Sequence, residues 1–284
     1  MTAGTRSGLV ASAMGGISPK PGWLIFIAGV AVGGLLGASV ARARSTDAGK
    51  ARELTVFAAA SLRDVFGKLG QAFEQTHPGV RVRFNFAGSQ ELRLQMEQGA
   101  PADVFASADL KQFEVARGGG LVGAPKIFAT NEPVIVVPRS NPARVTSLAD
   151  LARASRVVIG TPEVPIGSYT VQILDNARVP YGADFRSRVE ARVVSRELNV
   201  RQILSKVALG EADAGIVYRS DARAAKDTVQ VIEIPPALNV VAQYPIGGTL
   251  RAPSPDLAKE WVDLVTGPAG HASLSEFGFG KRKP

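Results

Sequence analysis

From Leu54 to Val265 the chain alternates short apolar runs with stretches of helical period, and that alternation leaves few folds open. LTVFA (54–58) reads as a buried strand, after which Leu62, Val65, Phe66, Leu69 and Phe73 recur at helical spacing until HPG (77–79) stops the helix. VRVRFNF (80–86) alternates apolar and polar residues, as a half-exposed strand does. The same reading predicts strands at ADVFASAD, PVIVVP, RVVIG, ARVVS, AGIVY and VQVIEIP. Helices are predicted at ELRLQMEQGA, KQFEVARGGGL, SLADLARAS, PEVPIGSYTVQILDNAR, NVRQILSKVALGEA and SPDLAKEWVDLVTG. Val200, Ile203, Leu204 and Val207 share one face, as do Leu257, Trp261, Leu264 and Val265. Strand and helix alternating over most of the chain predict an α/β protein with largely parallel sheets. No repeat or low-complexity linker divides it, which favours two sheets joined by paired crossings.

The N-terminus is different material. Residues 23–41, WLIFIAGVAVGGLLGASVA, carry no charge, follow Arg6 and Lys20, and precede an A-x-A signal at Ala41–Ala43. Residues 1–43 are therefore expected to be a signal peptide or an N-terminal membrane anchor, since the run approaches the ~20 residues that span a bilayer. Either version places the folded part outside the cytoplasm. Loss of Arg6, Lys20 and Arg42 with that segment lowers the net charge from +8 to +5. The remaining basic residues are scattered among acids, so no nucleic-acid partner is expected. The chain has no cysteine and only His77 and His271. Thiolate chemistry, disulfides and Cys- or His-built metal centres are excluded or starved of ligands.

In an open α/β sheet, ligands lie where strands end and helices begin, because a helix start presents unpaired N–H groups and a positive dipole end. Ser61 in AAASL and Ser89 in FAGSQEL each stand at such a turn behind small residues, Ile166 (VPIG) and Val200 (ELNV) at two more, and Tyr218 ends AGIVY. Singly, each has an ordinary explanation: a serine N-cap, an apolar residue near a helix start, a core tyrosine. Asp103, Asp109 and Asp221 lie near these motifs, yet none has a histidine or cysteine beside it for acid–base work. Asp103 and Asp221 are read as caps and interlobe hydrogen-bonders. Gly118–Gly120 follow a helix and lack the GKS/GKT ending of a phosphate loop.

Taken together, VFAAASL, FAGSQEL, GAPADVFASAD, PVIVVPRSNP, GTPEVPIGSY, NVRQIL and GEADAGIVYRSDA resemble, in order and spacing, the periplasmic molybdate-binding proteins of ABC transporters. The resemblance runs from about Leu54 to Phe279. It implies a two-lobed type II periplasmic-binding-protein fold, with Rossmann-like lobes at 44–129 plus 248–284 and at 130–247, hinged at PVIVVP and YPIGG. It implies a binding protein rather than an enzyme, holding molybdate or tungstate between the lobes and handing it to an ABC permease. Carried over position by position, Ser61 and Ser89 give hydroxyl and backbone N–H bonds, Ile166 and Val200 backbone N–H bonds, and Tyr218 its hydroxyl. Molybdenum would enter only as the oxyanion, without protein–metal bonds, no cofactor is implied, and a monomer is expected. Ile166 stands where the family usually has alanine, and Gln90 where a small residue is common. Those two departures leave sulfate or another tetrahedral oxyanion as alternative ligands, and a leader that stays attached would make the chain a membrane-tethered anion sensor.

Overall fold

The computed structural model describes residues 52–280. The apolar run at 23–41 and the A-x-A signal lie outside them, and no helix among the described residues is long and apolar enough to cross a membrane. The chain begins with β1 (Arg52–Ala59), a 3-10 turn (Ala60–Leu62) and α1 (Arg63–Thr76). It continues through β2 (Val80–Ala87), α2 (Ser89–Glu97), β3 (Val104–Ala106), α3 (Leu110–Gly118) and β4 (Lys126–Asn131). It then crosses to β5 (Pro133–Pro138), β6 (Val157–Gly160) and α4 (Pro165–Asn176), with a 3-10 turn at Leu148–Ala152. Two short helices follow, α5 (Arg178–Tyr181) and α6 (Phe185–Glu190). After them come β7 (Val193–Glu197), α7 (Val200–Ala208), β8 (Ala214–Tyr218), α8 (Arg219–Ala224) and β9 (Val229–Ile232). The return is β10 (Ala242–Gly248), followed by α9 (Pro255–Thr266) and α10 (Pro268–Glu276).

These strands make two five-stranded sheets, ordered β2-β1-β3-β10-β4 and β7-β6-β8-β5-β9. Each is mixed rather than largely parallel. β1 runs parallel to β2 and β3, and β6 parallel to β7 and β8, but β10 and β5 run antiparallel to both of their neighbours. The antiparallel strands are those that follow a crossing, where the chain enters a sheet from the far side. This shifts the expected boundaries. PVIVVP and YPIGG are sheet strands, and the crossings lie at Glu132 and between Ile232 and Ala242. β10 therefore belongs to the first lobe, whereas the sequence reading left most of it in the second.

In the first lobe Leu54, Val56 and Ala58 alternate onto the face covered by α1 and α9, while Phe57 joins Leu92, Phe105 and Phe113 on the other. Trp261, fully buried, meets Phe66, Phe73 and Phe84 at ring distances of 5.4–5.6 Å. The helical faces predicted on α1 and α7 are buried. With cores on both sides of each sheet, the strand ends that feed helices point into the space between the lobes.

Candidate functional site

Five strand-to-helix junctions converge on one small cavity between the lobes, lined by Ser61, Ser89, Ile166, Val200 and Tyr218 among others. Among the described residues, no charged one lines it. Four of the junctions leave a particular donor free. Ser89 opens α2 and is 1 % exposed; its Oγ accepts the Ala108 N–H at 3.0 Å, so its own proton is left for the cavity. In α4, Pro165 has no N–H, which makes Ile166 the first available amide of that helix. In α7, Asn199 Oδ1 accepts the N–H groups of Arg201 (3.1 Å) and Gln202 (3.2 Å), leaving that of Val200, the first helical residue. Ser61 lies in the turn before α1, with its Oγ 3.0 Å from the Tyr244 hydroxyl on β10.

Tyr218 ends β8 and begins α8. Its hydroxyl is buried and has no hydrogen-bond partner among the described residues. Burial raises its pKa well above 10, and the neighbouring Tyr244 and Tyr169 add to the rise, so it remains a donor at any physiological pH. An unpaired buried hydroxyl costs about 1–3 kcal/mol. An anion can take the bond that this hydroxyl has left to give, and Tyr218→Phe is expected to lower anion affinity about tenfold, read by calorimetry.

The charges stand one layer back. Arg201 reaches Asp64 on α1 and Asp221 on α8, with its Nε 2.6 Å from the fully buried Asp221 carboxylate. Burial lifts the Asp221 pKa to about 6, against the pull of Arg201. Desolvation opposes the charge on Arg201, but Asp221 and Asp64 outweigh it and hold that group firmly protonated. Asp221 thus reaches the other lobe only through Arg201. Asp103 does not cross at all: it accepts the N–H groups of Thr55 (2.7 Å) and Ser254 (2.6 Å), both in the first lobe. Asp109 caps α3, and burial raises its pKa. His271 lies inside α10. Among the described residues no group of three acids or histidines gathers as a metal site.

All five residues singled out in the sequence meet at the cavity. Sequence reasoning missed Asn199, Tyr244 and Ala108, which decide where the hydroxyl and amide protons point. Asn199 had a signal, an Asn directly before an apolar helical stretch with Gln three residues on; the other two are contacts across long sequence separations.

Residues 54–280 match the family of bacterial extracellular solute-binding proteins. This chain belongs to that family. Among its relatives, the molybdate-binding protein ModA of Mycobacterium tuberculosis H37Rv is 45 % identical over 233 residues, 81 % of this chain and 85 % of the relative. The Escherichia coli K12 molybdate-binding protein ModA is 31 % identical, covering 90 % of this chain and 97 % of its own. In fold, this solute-binding protein resembles the Azotobacter vinelandii periplasmic molybdate-binding protein (TM-score 0.69, 22 % identity, 81 % of this chain, all of that one). It also resembles the M. tuberculosis sulfate-binding protein SubI (TM-score 0.74, 17 % identity, 82 % and 88 %). The two-lobed type II binding-protein architecture expected from the sequence is the one present. As a solute-binding protein, the chain is a carrier and not an enzyme.

Proposed function

We propose that this protein captures molybdate, with tungstate as its near twin, between its lobes and delivers it to an ABC permease. The observation that carries the reading is the cavity's donor set among the described residues: hydroxyls and helix-start amides from both lobes, no charged residue, and one buried hydroxyl that lacks a partner there. Several aligned N–H and O–H dipoles offset a dianion without an arginine. A donor-only site also penalises a protonated anion, whose O–H would face a donor and find no acceptor. Phosphate keeps a proton near neutral pH; molybdate, tungstate and sulfate do not. Sulfate is smaller, so cavity size has to reject it. Ile166, fully buried, is among the residues that line the cavity. The 45 % identity to a molybdate-binding protein supports molybdate over sulfate.

Ser61, Ser89, Ile166, Val200 and Tyr218 are the proposed ligand contacts, with no cofactor and no direct protein–molybdenum bond. The protein is proposed to act as a monomer in the periplasm, either exported or tethered through residues 23–41. Calorimetry of the full-length protein with molybdate, tungstate, sulfate and phosphate tests the reading. Tight one-to-one binding of the first two alone supports it, whereas sulfate binding equally well overturns the ligand assignment. Ser61→Ala is expected to weaken binding by about 1–3 kcal/mol, the scale of a hydrogen bond to a charged group; unchanged affinity in the same titration removes Ser61 from the contacts. A mature N-terminus near Arg44, read by mass spectrometry, marks export, and a retained Met1 marks a tether.

A further inference from the structure

Val200 and Ile166 are placed to offer backbone N–H groups, which no side-chain substitution can tune. Their strength as donors depends on where the second lobe stops when the cleft closes. We propose that Gln90 and Gln112 set that stop: they are positioning residues that clamp the second-lobe donor helices against the first lobe. The ligand in this inference rests on the oxyanion reading above; the clamp itself does not.

Both glutamines sit on first-lobe helices, α2 and α3, and both are about 95 % buried (6 % and 5 % exposed). Each donates its side-chain amide to a second-lobe backbone carbonyl just upstream of a donor. Gln90 Nε2 reaches Leu198 O at 2.9 Å, two residues before Val200. Gln112 Nε2 reaches Glu163 O at 3.0 Å, three residues before Ile166. The two carbonyls move with their helices. The Leu198 N–H donates to Gln202 Oε1 on α7 (3.0 Å), and Glu163 lies in a turn closed by the Val164 N–H on Thr161 O (3.0 Å).

The amide orientations follow from the partners. A carbonyl can only accept, so nitrogen must face it, and the Oε1 of Gln112 accepts from Arg93 Nε (2.9 Å), which can only donate. Gly88 completes the arrangement, since a Cβ there would fall within 3.0 Å of both Leu198 O and the Gln90 amide. A neutral amide suits the task. It fixes the carbonyl without adding charge beside a dianion, and the anion then meets donors already in place. A pair of bonds formed only on closure acts on escape more than on encounter.

Stopped-flow binding to the full-length protein, Gln90→Leu, Gln112→Leu and the double variant tests this. The titrant is whichever of molybdate, tungstate, sulfate and phosphate the unaltered protein binds, so a wrong ligand assignment does not spoil the test. The dissociation rate is expected to rise about fivefold in each single variant and about 25-fold in the double one, with the association rate and ligand-free melting temperature nearly unchanged. Gln90→Glu adds a readout that mere space filling would not move: the carboxyl regains a donor when protonated, so its dissociation rate should fall toward that of the unaltered protein between pH 8 and pH 5.5. An unaltered dissociation rate in the double variant, or a pH-independent Gln90→Glu, overturns the clamp. If none of the four anions binds, the proposed function falls. The clamp is then read by X-ray scattering of ligand-free protein, where a larger radius for the double variant supports it and equal radii overturn it.

Discussion

A methyl group added at Gly88 is expected to lower oxyanion affinity a hundredfold or more while leaving the ligand-free protein within about 1 kcal/mol of its original stability. Gly88 is the N-cap of α2, with φ −63° and ψ 140°, a conformation open to any residue. Alanine is a poorer cap than glycine, but the Glu91 carboxylate still accepts the residue 88 N–H (3.0 Å), which limits the local cost. The new Cβ instead strikes the second lobe, where Leu198 O lies within 3.0 Å and cannot yield without dragging α7. Overpacking against backbone costs about 3 kcal/mol at the upper end of its usual range. That cost falls only on the closed state, so it appears in full as lost affinity, and 3 kcal/mol is about a hundredfold. Calorimetry and melting of Gly88→Ala check the two halves separately. Unchanged affinity would mean that the lobes bind the anion without approaching this closely.

Gly88 also shows which features the sequence makes legible. The helix-start positions that line the cavity could be read because a helix start is a local event: small residues, a serine or an apolar residue, then helical spacing. The two-lobed architecture was legible through the alternation of strand and helix. Strand direction was not, because PVIVVP presents the same apolar face whether it runs parallel or antiparallel, and its neighbours β8 and β9 are distant in sequence. KIFATN went unread as a strand because its ends are polar, yet β4 is the edge strand paired with β10. α10, with little apolar periodicity, was missed for a similar reason.

Partners across the cleft are less legible still. Gln90 meets Leu198 across 108 positions and Ser61 meets Tyr244 across 183. Gln90 stood out in the sequence only as a bulky residue where a small one is usual. Its bulk turns out to reach the opposite lobe rather than to fill the ligand cavity. Asp103 and Asp221 looked alike as isolated acids in strand-end motifs, and only packing separates them. One ties a strand to the start of α9 within a lobe, and the other balances an arginine that spans the lobes.

Arg201→Met is expected to destabilise the protein by about 3 kcal/mol at pH 7.5, where Asp221 must take up a proton once its counter-charge is gone, and by only about 1 kcal/mol at pH 4.5. Asp221 has no exposed surface, and Arg201 is its counter-charge at 2.6 Å. Burial raises the Asp221 pKa from 3.8 to about 6 in the folded protein. The folded state therefore holds a proton that the unfolded chain has already released. Stability from this group is full below 3.8 and is lost as pH rises through 6, a total of about 3 kcal/mol.

Methionine keeps much of the stem's packing but removes the charge, so the Asp221 pKa climbs further and the loss continues to higher pH. At pH 4.5 the carboxyl is protonated with or without Arg201, and only the partly exposed pair with Asp64 disappears. Urea unfolding at the two pH values checks this. Equal destabilisation at both would assign Arg201 to packing alone. The same triad explains how a dianion site does without a positive side chain. The cation next to Val200 is already satisfied by two carboxylates, so, on the proposed function, an incoming anion would meet oriented dipoles, and selection would fall to cavity size and protonation state rather than to net charge.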